Sequence, residues 1–167
     1  LKNVAKTVLK GLNGKEDAEN RVISLQTGFG GGKTHTLISL YHLSKWGKNS
    51  IKSTYTKDLL AFTGAPEFDS ANIAVFTNTT NDAANGRLAE EGVHIQTIWG
   101  ELAYQLGGKA AYEIIRKNDE GLIAPAGLFK QVLSQCKPAL ILIDELADDC
   151  VKASARKAGN SSLADQT

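Results

Sequence analysis

Apolar residues recur along this chain in two rhythms, a three-to-four spacing and short continuous runs, and the two alternate. Leu1, Val4, Ala5, Val8, Leu9 and Leu12 fall at helical spacing and predict an amphipathic helix over 1–12. A polar, turn-rich stretch to Asn20 follows, and Arg21–Gln26 (RVISLQ) is a short β-branched run that predicts the first strand. Beyond a glycine cluster, Leu37, Ile38, Leu40, Tyr41 and Leu43 give a helix over 34–46, and 57–62 reads as a short helix before a loop over 64–70. Asn72–Phe76 (NIAVF) is a second buried strand running into a polar segment over 77–81.

The second half repeats the alternation. His94–Ile98 fits either a short strand or a helix entry, 99–106 is helical, Gly107-Gly108 breaks that helix and 110–117 resumes it. Pro125 stands near the start of a helix reaching about Cys136, with Leu128, Phe129, Val132 and Leu133 on its apolar face. Ala139–Ile143 (ALILI) is wholly apolar and predicts a strand buried on both faces. A helix is expected over 146–157 and a polar tail over 159–167. Near-apolar strands alternating with helices predict an α/β fold with a parallel sheet.

Composition narrows this only slightly. The 167 residues suit one domain, and a net charge of +1 demands no polyanionic partner, although a total cannot exclude a local basic patch. Cys136 and Cys150 have no metal-ligand spacing and form no disulfide framework, which fits buried thiols in a reducing, cytoplasmic setting. No apolar run approaches the roughly 18 residues that cross a bilayer, so no membrane partner is expected. The chain holds no methionine, even at position 1, which leads us to expect a piece of something longer.

The chemistry concentrates at two places. Thr27-Gly28-Phe29-Gly30-Gly31-Gly32-Lys33-Thr34 lies between a predicted strand and a predicted helix. Glycines let successive backbone N–H groups turn inward around an anion, where a Cβ would block the approach. The following helix offers its N-terminus to the same anion. Lys33 is suited to the β- and γ-phosphates of a nucleotide, and the Thr34 hydroxyl to magnesium. Gly28, Phe29, Gly30, Gly31, Gly32, Lys33, Thr34 and His35 are therefore the candidate nucleotide-binding residues. The plainest reading of His35 itself is packing or solvent exposure. One departure stands out, because the first glycine of G-x-x-x-x-G-K-[ST] falls at Thr27.

The other place is Ala139–Glu145, an apolar strand ending in Asp144 and Glu145. A strand ending in an acid puts that carboxylate at the carboxyl edge of a sheet, where α/β sites form. Asp144 is expected to hold magnesium together with Thr34. Glu145, with Lys33, is the candidate catalytic residue, placed to act as a general base on water. Taken alone, Glu145 reads equally well as an acid stabilising the first turn of a helix. Weaker candidates have plainer readings: Thr77, Asn78 and Thr79 as a polar loop, Arg87 as a solvated arginine, Trp99 as core, and Asp148 and Asp149 as a solvated helix face.

The glycine loop, the strand ending in Asp-Glu and the strand between them resemble the additional-strand division of P-loop NTPases, which includes AAA+ proteins and RecA-like motors. More closely, TGFGGGKTHTLISLYHL, TIWGELAYQLGG and PALILIDELAD are similar to a family of large prokaryotic AAA+-like ATPases found near DNA-modification and phage-defence genes. The resemblance implies a three-layer P-loop fold, ATP and magnesium as cofactors, and ATP hydrolysis driving conformational change in a larger protein. A second resemblance runs to superfamily 1 helicases, through AVFTNTTNDAANGRL, VHIQTIWGELAYQL and IDELADD, although Ala147 stands where their glutamine would be. It implies DNA or RNA as a partner through the full-length protein. A homo-oligomer is a further expectation.

In additional-strand NTPases the sheet order is 5-1-4-3-2, with a sensor-bearing fourth strand between the loop strand and the Asp-Glu strand. Nothing after Asp144 reads as a buried strand, so that strand and its sensor are expected to be missing from this chain. One P-loop domain is expected over 1–167, with an N-terminal helix and connection over 1–20, the core over 21–158 and the tail beyond. Two other classes stay in view: a small-molecule kinase, which would carry an arginine-bearing lid, and a nucleotide-binding switch that does not hydrolyse.

Overall fold

A computed structural model of the chain describes residues 1–14, 22–26, 31–50, 54–77, 85–144, 157–158 and 161–162. The fold is mixed α/β, with helices and a small parallel sheet. It divides into two compact units, Leu1–Ile73 and Ala74–Thr167.

In the first unit α1 (Lys2–Leu12) buries Ala5 and Leu9 and packs mainly against α3 (Thr54–Thr63). Between them in sequence comes α2 (Lys33–Trp46), which buries Leu40, Leu43 and Ser44. A short 3-10 turn, Gly47–Ser50, ends α2. Gly47 has φ +45°, and a Cβ there would meet the Phe68 carbonyl oxygen at 2.1 Å, so only glycine lets the two backbones close. The Lys48 N–H donates to that oxygen at 2.7 Å and the Ala71 N–H to Ser44 O at 2.8 Å, which ties the loop before the first strand onto α2.

The expected first strand does not form among the described residues. Positions 22–26 carry no regular secondary structure, and Val22 is 90% exposed. A strand needs a neighbour for its backbone N–H and C=O groups, and no described strand pairs with this run.

β1 (Asn72–Phe76) carries the chain into the second unit and is adjacent to β4 (Ala139–Ile143) in one parallel sheet. Between them lie β2 (Arg87–Leu88) and β3 (His94–Ile95), paired antiparallel, then α4 (Ile98–Glu120) and α5 (Gly127–Gln135). Ala74 and Phe76 of β1, Ile98, Leu102, Leu106, Ala111 and Ile115 of α4, and Val132 and Cys136 form the core. The ambiguous 94–98 segment resolves into both of its readings, a two-residue strand and then the helix entry. β4 was expected to be buried on both faces, yet only Leu142 is buried and Ile143 is 40% exposed. Its hydropathy is that of an interior strand, but its described surroundings cover only part of it.

The break expected at Gly107-Gly108 is present inside α4. Gly107 has φ −148° and Gly108 φ +63°, ψ −156°, a region that essentially only glycine enters. The two halves fold back on each other. A straight helix would carry Thr97 and Asp119 about 33 Å apart, yet the Thr97 N–H donates to the Asp119 carboxylate at 2.9 Å. Asp119 also accepts from the Gln96 N–H at 2.9 Å, from the Thr97 hydroxyl, and from the Tyr112 hydroxyl at 2.9 Å. Gly100 admits this carboxylate, since a Cβ there would lie 2.2 Å from Asp119 Oδ1. Thr97 in turn caps the helix, its hydroxyl accepting from the Gly100 N–H at 3.1 Å.

Further on, Lys157–Ala158 and Ser161–Ser162 form a second antiparallel pair, β5 and β6. The sequence reading placed these residues in a helix end and a tail, because two-residue arms carry no periodicity. The rest of the expected helix over 146–157 lies outside the described residues.

Two measurements check the hairpin. Asp119→Ala leaves buried donors without their acceptor, and should destabilise the fold by about 3 kcal/mol or more in urea titration. Tyr112 has its pKa pushed up, first by burial and then by the neighbouring Asp119 carboxylate. The stability this contributes is fully present below the ordinary tyrosine value of about 10 and is lost as pH rises above it. Tyr112→Phe should therefore flatten that alkaline decline relative to the parent.

Candidate functional site

Gly32 precedes α2 in the left-handed conformation, φ +75° and ψ 22°. A Cβ there would have open space around it, so the backbone conformation, and not crowding, is what asks for glycine. Lys33 is the first residue of α2 and is half-buried, Thr34 and His35 are exposed, and no side chain caps the helix start. No acidic residue sits in the first turn to compete for the helix dipole. The Thr36 N–H reaches back to Gly32 O at 2.9 Å. Gly31 is exposed, and Gly28, Phe29 and Gly30 lie outside the described residues.

Asp144 leaves the carboxyl end of β4, half-buried, and its N–H donates to Phe76 O at 2.9 Å. Thr77 leaves the carboxyl end of β1 in the adjacent strand, so the two polar residues emerge from the same edge of a parallel sheet. That is the edge at which α/β proteins place ligands. Glu145, Asn78, Thr79, Asp148 and Asp149 lie outside the described residues. Lys33 and Thr34 belong to the first compact unit and Asp144 to the second.

Arg87 is not the solvated surface arginine of its plainest reading. Its Nε and Nη2 donate to the two oxygens of Glu101 at 3.0 and 2.9 Å, and Glu101 is only 2% exposed. The guanidinium also lies 5.9 Å from the Tyr104 ring centre. Glu101 Oε1 accepts a further bond from Gln105 Nε2 at 2.7 Å. Gln105 Nε2 also donates to Val75 O at 3.0 Å, while Gln105 Oε1 accepts from the Val75 N–H at 2.8 Å. A side-chain amide thus satisfies both backbone groups of Val75 on the edge of β1 that faces away from β4.

Sequence reasoning missed Glu101, Gln105, Tyr112 and Asp119. Each sits on α4, and its partners are brought to it by the fold. The fold-back of α4 carries Tyr112 and Asp119 to residues 94–97, while Glu101 and Gln105 meet Arg87 and Val75 from outside the helix. Thr97 alone carried a local sign, a hydroxyl residue just ahead of an apolar helix. Trp99 belongs to the packing, edge-on to Phe129 with ring centres 5.7 Å apart. Cys136 is a buried thiol outside any disulfide, its pKa pushed up by burial, the environment of an inert cysteine. Among the described residues no three His, Cys, Asp or Glu side chains cluster as a metal site, and no helix is long and apolar enough to cross a membrane.

The family model described as DUF499 N-terminal domain matches residues 1–163, and the chain belongs to that family. No curated protein and no solved structure matches the chain at a significant level.

Arg87→Ala would leave the buried Glu101 carboxylate without its cation. The expected loss is about 3 kcal/mol, the low end for a broken buried pair because Arg87 itself keeps contact with solvent. Pairing it with Glu101→Gln should recover part of that loss in chemical denaturation. Full additivity of the two substitutions would show that the pair is not coupled.

Proposed function

We propose that this chain is the nucleotide-binding part of a magnesium-dependent ATPase of the P-loop type. The observation that carries the reading is the left-handed Gly32 leading into a helix whose first two residues are Lys33 and Thr34. A turn of this kind lets backbone N–H groups, a helix dipole and a lysine serve one anion. The carboxylate of Asp144 at the end of a parallel strand also supports it, since a magnesium-orienting acid commonly leaves such a strand end. The pairing of β4 with β1 also agrees, because the order 5-1-4-3-2 makes the second and third strands neighbours.

In this reading Lys33 would neutralise charge on the β- and γ-phosphates, and Thr34 and Asp144 would hold magnesium. The metal, when bound, supplies charge neutralisation on the phosphate oxygens. Glu145 takes the proton of a water that attacks the γ-phosphorus as the bond to the β–γ bridging oxygen breaks. Phosphoryl transfer of this kind is mostly positioning and charge stabilisation, so few side chains suffice. The hydrolysis would drive a conformational change in a larger protein, with DNA or RNA as a partner of that protein.

Calorimetric titration with ATP, with and without magnesium, tests the binding half. Lys33→Ala should weaken binding by about ten- to a hundredfold, the value of one charge-assisted contact. ATP at 100 times its dissociation constant should stabilise the parent by about 2.7 kcal/mol in a thermal shift. Glu145→Gln tests the catalytic half, with binding retained and turnover down by about a hundredfold or more. Unchanged turnover in that variant would remove Glu145 as the base, and binding without any turnover in the parent would favour the switch.

A further inference from the structure

We propose that the helical surface of the first unit binds single-stranded nucleic acid. The net charge of +1 conceals an uneven distribution. Residues 1–73 hold ten Lys and Arg against six Asp and Glu, or +4, while 74–167 hold nine against twelve, or −3. The described helices sharpen this, for α1 and α2 together carry Lys2, Lys6, Lys10, Lys33 and Lys45 and no acidic residue.

Three of these lysines stand over exposed aromatic rings. Lys2 and Lys6 lie 5.9 and 5.4 Å from the centre of the Phe62 ring, which is 44% exposed on α3. Lys45 lies 5.6 Å from the ring of Trp46, 50% exposed at the end of α2, and 5.1 Å from that of Tyr41. Large aromatic rings left in water beside cations are the components of a stacking platform, where bases lie on rings and ammonium groups meet phosphates. An arriving base would displace an ammonium from a ring face, a weak contact at exposed sites. The freed lysine would move to a phosphate instead.

A single strand fits better than either rival. Duplex bases are stacked on one another and cannot reach the rings. An anionic membrane surface would need an apolar helix face to insert, but Ala5 and Leu9 of α1 are fully buried within the protein. None of the residues of this surface falls in the AVFTNTTNDAANGRL segment that carries the helicase resemblance. Nor does the surface depend on the ATPase reading.

The experiment is fluorescence anisotropy of a labelled oligothymidylate of about 16 nucleotides with the full chain. Vesicles rich in phosphatidylserine and a duplex of equal length run alongside. Binding should weaken with salt with a log–log slope near −2, about 0.7 for each of three lysines. Phe62→Leu, which keeps the apolar bulk, and Trp46→Ala should each lower affinity about fivefold or more, with thermal melts confirming that both variants fold. Trp46 fluorescence should be quenched by the oligonucleotide. Any of three results would overturn the proposal: no binding of the single strand, equal binding of the duplex, or affinity indifferent to both ring substitutions. Vesicle binding with the same ring dependence would assign the surface to a membrane instead.

Discussion

Four donors converge on the carboxylate of Asp119, and the second unit depends on that convergence. Without it, the two halves of α4 would have only apolar contact to hold them side by side, and apolar contact does not fix register. Hydrogen bonds from Gln96, Thr97 and Tyr112 fix it to one alignment. A charged group 1% exposed is costly unless fully bonded, so the latch either closes with all its partners or does not close. Two glycines make this geometry reachable. Gly107 and Gly108 supply the reversal, and a Cβ on Gly107 would lie 2.7 Å from Cys136 Sγ at the end of α5. Turn, latch and helix packing are therefore one constraint seen at three places.

With α4 doubled back, its first half can present Glu101 and Gln105 to the sheet. Gln105 occupies both backbone groups of Val75 on the outer edge of β1. At that residue the edge cannot template another strand. Among the described strands β4 pairs with β1 alone, so the sheet's opposite edge is the side on which it can grow. The partial exposure of the ALILI strand lies at this same place. Arg87 belongs to this arrangement as the counter-ion that makes a buried Glu101 tolerable, which explains why it is held by two bonds.

The candidate site is organised by simpler means. A left-handed glycine turns the chain into α2, and a parallel strand carries Asp144 to the carboxyl edge of the sheet. Both are backbone effects, in which residue type and chain direction decide where the polar group emerges. This is why a nucleotide site could be proposed from motifs alone, whereas the Arg87–Glu101–Gln105 and Asp119 networks could not.

The helices of the first unit, the strands NIAVF and ALILI, and the break at Gly107-Gly108 were legible in the sequence. Each is written in local terms: periodicity, unbroken apolar runs, and glycines where a side chain cannot go. The sequence also singled out Lys33, Thr34 and Asp144 as candidates, because motif chemistry is written at the ends of predicted elements. What it could not determine was whether RVISLQ would act as a strand, since strand formation is a property of a pair and no described partner meets that run. Nor could it reveal that Asp119 meets Thr97 or that Gln105 meets Val75, contacts made across 22 and 30 positions of chain. Local propensity is carried by a few consecutive residues, while a buried polar group takes whichever partners the folded chain delivers to it.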